Sequence, residues 1–122
     1  MTRILVVDDE NVTRHLVTHA LKKIDIDTVG AVDGPQALDL AAQERFSLVI
    51  VDINLPEMDG FDVIRHLKQL PTMQDVPIIL FTARSDEDDS MRALTVGAVE
   101  LLYKPFSMQQ LRDLVTKHLP PE

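Results

Sequence analysis

Five residues able to do chemistry close four short apolar runs. Asp8 and Asp9 follow Ile4-Leu5-Val6-Val7, and Asp52 follows Leu48-Val49-Ile50-Val51. Thr82 follows Ile78-Ile79-Leu80-Phe81, and Lys104 follows Leu101-Leu102-Tyr103. Carboxylates held close together repel and raise one another's pKa. A hard divalent cation relieves that conflict, and Mg²⁺ takes oxygen ligands, keeps some waters and commonly bridges to a phosphate. A lysine offers a phosphoryl oxygen a point charge, and a threonine hydroxyl can donate to another. A carboxylate nucleophile in such a set would yield an acyl phosphate. Phosphoryl transfer asks mostly for positioning and charge neutralisation.

The apolar runs must therefore end at one place. They read as strands over residues 4–8, 27–31, 48–52, 77–82 and 101–103, each followed by an amphipathic run. Leu16, Val17, Ala20, Leu21 and Ile24 recur at helical spacing over residues 12–24. Ala37, Leu38, Ala41 and Ala42 mark a helix that starts after Gly34-Pro35, with Pro near its first turn. Residues 60–69 form a third helix, ended before Pro71. Met91, Leu94 and Ala98 give a poorly patterned fourth, ending near Gly97. Ser107 is the expected N-cap of a last helix carrying Met108, Leu111, Leu114, Val115 and Leu119. This (βα)₅ order implies a doubly wound parallel sheet covered on both faces. Every strand then ends at the same edge, where such sheets bind ligands.

Composition narrows the function. The net charge of −8 argues against direct nucleic-acid binding, which needs clustered Lys and Arg, and suits a protein that holds divalent cations. There is no cysteine, which excludes disulfides and thiolate sites and fits a reducing cytoplasm. The longest apolar stretches are far too short to span a bilayer, and no signal peptide precedes the first strand. The expectation is a cytoplasmic protein without membrane contact.

Four motifs in order make a specific likeness. Val6-Val7-Asp8-Asp9-Glu10, Asp52-Ile53-Asn54-Leu55-Pro56-Glu57-Met58-Asp59-Gly60, Phe81-Thr82-Ala83-Arg84 and Lys104-Pro105-Phe106 resemble the receiver domain of bacterial response regulators. The likeness covers essentially the whole chain. It implies a flavodoxin-like sheet of strand order 2-1-3-4-5, with the receiver domain over residues 1–119 and a tail or start of a linker over 120–122. It implies Asp52 as phosphoacceptor, Mg²⁺ (with Mn²⁺ able to substitute) held by Asp8, Asp9, Asp52 and the backbone carbonyl of Asn54, Thr82 as switch hydroxyl, and Lys104 as phosphoryl contact. It also implies a cis Lys104-Pro105 bond. The implied donor is a phosphohistidine on a sensor histidine kinase or histidine phosphotransfer protein. The implied output is a downstream effector protein or a fused output domain, with a phosphorylation-dependent homodimer as a further expectation. The output face would be the fourth helix, fifth strand and last helix.

Two positions depart from the family pattern. Leu101 stands where many members carry an inward-swinging aromatic, with Tyr103 beside the lysine instead. Arg84, at the position that tunes phosphoryl lifetime, leaves that lifetime open. Asp8-Asp9 could by themselves simply cap the first helix, and Lys104-Pro105 could by themselves be a turn. Asp59-Gly60 reads as a turn and helix start. Asp86, Glu87, Asp88 and Asp89 read as a solvated loop and helix N-terminus. His15 and His19 share the i,i+4 spacing of a metal pair but lack a third ligand, so they read as helix-surface residues, as do His66 and His118. Phe46 and Phe61 are core candidates. Two other functions stay open: an aspartyl-phosphate hydrolase of the haloacid-dehalogenase type, which carries its nucleophile after strand one in an Asp-x-Asp motif, and a phosphorylation-independent interaction module.

Overall fold

A computed structural model describes residues 2–83 and 87–119, with backbone alone for 87–90. The expectations for Arg84, Asp86, the side chains of Glu87, Asp88 and Asp89, and the tail 120–122 fall outside the described residues. The strands are β1 (Arg3–Val7), β2 (Asp27–Ala31), β3 (Leu48–Asp52), β4 (Ile78–Thr82) and β5 (Glu100–Tyr103). The helices are α1 (Asn11–Lys22), α2 (Gly34–Gln43), α3 (Gly60–Leu67), α4 (Glu87–Val96) and α5 (Met108–His118). The sheet is parallel in the order β2-β1-β3-β4-β5, as the sequence led us to expect.

Strand periodicity divides the core in two. Leu5, Val7, Val49, Val51, Ile78 and Leu80 face α2 and α3, while Ile4, Val6, Leu48, Ile50, Ile79 and Phe81 face α1 and α5. Every residue of β3 and β4 is buried, which explains their unbroken apolar sequence. Phe46 and Phe61 are both core residues. The second helix begins earlier than its proline indicates: Asp33 is the N-cap and its Oδ1 accepts from Gln36 N at 2.8 Å. Asp59 caps α3 in the same way through Asp62 N. Ser107 and Gln110 form a reciprocal capping box on α5. At the end of α4, Gly97 takes φ +108°, and Ala98 N donates to Ala93 O at 2.9 Å, so the helix closes on a left-handed glycine. A 3₁₀ turn at Pro71–Met73, not evident in the sequence, buries Met73. Among the described residues no helix is long and apolar enough to cross a membrane.

Candidate functional site

The parallel register brings the strand ends together. Asp52 is the last residue of β3 and pairs with Phe81 of β4, so Thr82 lies one residue further along the same edge. Thr82 pairs with Tyr103, and Lys104 N donates to the Thr82 carbonyl at 2.7 Å. On the other side β1 pairs with β3 through Val7 and Val51, and Asp8 follows at once.

The side chains converge on one ammonium. Lys104 Nζ lies 2.8 Å from Asp52 Oδ2, 3.0 Å from Asp8 Oδ2 and 3.3 Å from Glu10 Oε1. Asp8 is fully buried, Asp52 is 4% exposed, and Thr82 is buried beside them. The second carboxylate oxygen of each aspartate is also held: Asp8 Oδ1 accepts from Glu10 N at 2.9 Å, and Asp52 Oδ1 accepts from Asn54 N at 3.0 Å. Burial pushes the Asp8 carboxyl above its ordinary range, and the nearby Asp52 adds to that; the bonds from Glu10 N and Lys104 only partly oppose it. Burial by itself would lower the Lys104 ammonium, but its bonds to Asp52 and Asp8 outweigh that and hold it above the usual lysine range. The site therefore keeps a positive charge locked between two acids.

Gly60 keeps the loop after Asp52 tight. Its N donates to Ile53 O at 2.8 Å, and a Cβ there would run into the Asp52 carbonyl. The Asp59-Gly60 pair is thus a turn and helix start, as its residue types indicate. The Lys104-Pro105 bond is cis. Phe106 then packs on Phe81, with ring centroids 4.7 Å apart.

The expected metal residues divide. Asp8, Glu10 and Asp52 each offer a carboxylate oxygen within 4.8 Å of the others, a hard oxygen set that fits Mg²⁺. Asp9 is exposed and outside that set, and the Asn54 amide bonds Asp52. Sequence reasoning gave Glu10 no role. Side chains two apart in extended chain share a side, and the backbone at Glu10 is extended, φ −91° and ψ 120°; that alternation groups Glu10 with Asp8 and sets Asp9 apart. The reading of Asp8-Asp9 as a simple helix cap fails: the N-cap is Glu10, without a side-chain cap bond, and Asp8 faces Lys104. His15 and His19 are exposed, as expected. Leu101 is half-buried against the α2–α3 side of the core.

A doubly wound sheet with buried acids and a lysine at its carboxyl edge defines a class of phosphoryl-handling α/β proteins. A family model, the response regulator receiver domain, matches residues 4–116, and the chain belongs to that family of two-component signalling. It is 34% identical to sporulation initiation phosphotransferase F of Bacillus subtilis, over 97% of this chain and 94% of that protein. Chemotaxis protein CheY4 of Vibrio cholerae superposes with a TM-score of 0.93 at 30% identity, covering 98% and 99% of the two chains. The response regulator TrrA of Thermotoga maritima, solved in complex with Mg²⁺-BeF, superposes with a TM-score of 0.86 at 33% identity, covering 98% and 100%. The chain spans about half the length of other curated relatives it matches, 44% of one probable transcriptional regulator and 53% of a response regulator. Receiver domains are signalling switches rather than enzymes of external substrates, so the hydrolase reading is not favoured.

Proposed function

We propose that the chain is a phosphorylation-dependent switch that accepts a phosphoryl group from a partner phosphohistidine onto Asp52. A carboxylate oxygen of Asp52 forms the new O–P bond as the P–N bond to histidine breaks, and the imidazole leaves with the bonding pair. Asp8, Asp52, Asp9 and the Asn54 carbonyl would hold Mg²⁺, with Glu10 close enough to join them. The ion when bound offsets charge on carboxylates and phosphoryl oxygens. Lys104 holds the charge balance from the chain itself, and Thr82 offers a hydroxyl at the same edge. The carrying observation is a nearly buried Asp52 at the end of a central strand, 2.8 Å from a lysine that also grips Asp8.

Residues 1–119 would form the working unit, in a cytoplasmic setting that the cysteine-free composition fits. Its partners would be a sensor histidine kinase or histidine phosphotransfer protein on the input side, and an effector or fused output domain on the other. The output surface would comprise α4, β5 and α5, where a second copy could also dock. Intact-mass analysis after acetyl phosphate and Mg²⁺ tests this reading. A single phosphoryl adduct on the native chain, absent from Asp52→Asn, is expected; an undiminished adduct on Asp52→Asn overturns it.

A further inference from the structure

The phosphoacceptor site makes no use of the paired histidines. His15 and His19 stand exposed one turn apart on α1. With Arg14, Thr18, Lys22 and Thr28 they line an open groove of about 440 Å³ between α1 and the edge strand β2. Its floor is fixed at several points. The Thr18 and Thr28 hydroxyls lie 2.7 Å apart and tie helix to strand. Gly30 lets the arginine stem cross β2, since a Cβ there would stand 3.3 Å from Arg14 Cδ. Arg14 is anchored by Nη1, which donates to the Asp8 carbonyl at 2.6 Å, and by Nη2, which donates to the Asn11 side chain.

The chemistry of this lining is one-sided. The whole chain carries a net charge of −8, yet none of the described residues lining the groove is a carboxylate. Arginine and lysine are donors only, and an imidazole offers at least one N–H whatever its tautomer. A metal ion on the histidine pair would face the cations Arg14 and Lys22. Among the described residues, the side chains grouped for a metal are instead Asp8, Glu10 and Asp52. An occupant rich in acceptors and negative charge fits. Arginine, with lysine as a point charge, is a common phosphate-binding combination, and the volume falls in the range of about 300–1,000 Å³ usual for small-ligand clefts.

We propose that the α1–β2 groove binds a multivalent phosphate anion of the diphosphate class through Arg14, His15, His19 and Lys22, at a site separate from Asp52. The diphosphate could be inorganic or part of a nucleotide. The test is a ¹H–¹⁵N NMR titration of the full chain without Mg²⁺, once with pyrophosphate and once with ADP, at constant moderate salt. Saturable shifts at Thr18, His19, Thr28 and Gly30 are expected, with a dissociation constant on the order of 0.1–1 mM. Equal affinity for the two ligands assigns the site to the inorganic anion, and tighter ADP binding assigns it to a nucleotide. The double variant His19→Gln, Lys22→Gln alters only exposed side chains, so its spectrum should stay folded while affinity falls about tenfold. Shifts confined to Ile53, Thr82 and Lys104, changes that never saturate, or unchanged affinity in the double variant would each overturn the proposal. None of these outcomes depends on Asp52 being the acceptor.

Discussion

At the acceptor edge, Asp8, Asp52 and Thr82 are buried, and both oxygens of each aspartate are hydrogen-bonded. Beside it, the α4–β5 face leaves apolar side chains in water: Met91 is 72% exposed, Leu94 67% and Tyr103 40%. On α4 the described residues give the core only Ala93 and, in part, Val96. One region is over-determined, the other loosely held. Chemistry needs the first kind, because acceptor and lysine must not drift. A response needs the second kind, because regions with few buried contacts have low opening free energies. The two are joined by short links. Lys104 N bonds the Thr82 carbonyl, tying β5 to β4 at the site. Arg92 of α4 lies 4.2 Å over the Phe61 ring and 4.0 Å from Asp59, beside the loop that Gly60 packs against Asp52.

The largest effect should come from cutting into the rigid region. Lys104→Met leaves three acids without their cation, two of them buried, and should cost roughly 3 kcal/mol of folding stability. Urea denaturation reads this directly, and millimolar Mg²⁺ should recover part of the loss by binding only the folded state. A variant as stable as the native chain would show that the charge cluster does not hold the edge together.

The second effect depends on pH. In the folded chain the Asp8 carboxyl is raised above its ordinary range, chiefly by burial. Folding therefore favours the protonated carboxyl, so the favourable contribution is present at low pH and lost as pH rises through the folded value. Asp8→Asn removes this penalty. Its stability relative to the native chain, without metal, should improve between pH 4 and pH 7. A difference that stays flat or runs the other way contradicts the burial argument.

Metal binding should separate an acid expected to hold the ion from an acid that caps a helix. Mg²⁺ affinity, measured by calorimetry, should fall markedly in Asp9→Asn and be nearly unchanged in Asp59→Asn, whose carboxylate is occupied in capping α3. Equal losses in the two would mean that only general negative charge matters. The smallest effect belongs to the loose region. Arg92→Ala removes a cation–π contact worth about 0.5–1 kcal/mol at a half-exposed site. Hydrogen exchange of the Ala93 and Val96 amides should quicken by a few-fold, with β3 amides unchanged; unchanged exchange in α4 would show that Arg92 does not restrain it.

Much of this contrast was legible in the residues. The β-branched runs gave β2 and β3 at the bounds observed, and Ser107 announced α5. The apolar ends at Asp8, Asp52 and Lys104 marked the edge because a parallel sheet allows only one place for them. The weak pattern of α4 corresponds to its exposed Met91 and Leu94. What sequence could not supply was local direction. Asp9 and Glu10 are adjacent acids, and only the extended backbone at the helix entry sends one toward Lys104 and the other to solvent. The Arg92–Phe61 contact joins residues from different helices and has no periodic signature. The Pro71–Met73 turn was hidden because a single turn is too short to show a period.

An event at Asp52 should reach the α4–β5 face while the rest of the fold stays put. The most direct measurement is the ¹H–¹⁵N NMR spectrum before and after beryllofluoride is added at constant Mg²⁺, on the native chain and on Asp52→Asn. The largest shifts are expected at Ile53, Thr82 and Lys104, with smaller ones continuing through α4 and β5, and none in Asp52→Asn. Shifts centred on α1 and α2, or shifts that persist in Asp52→Asn, would contradict it.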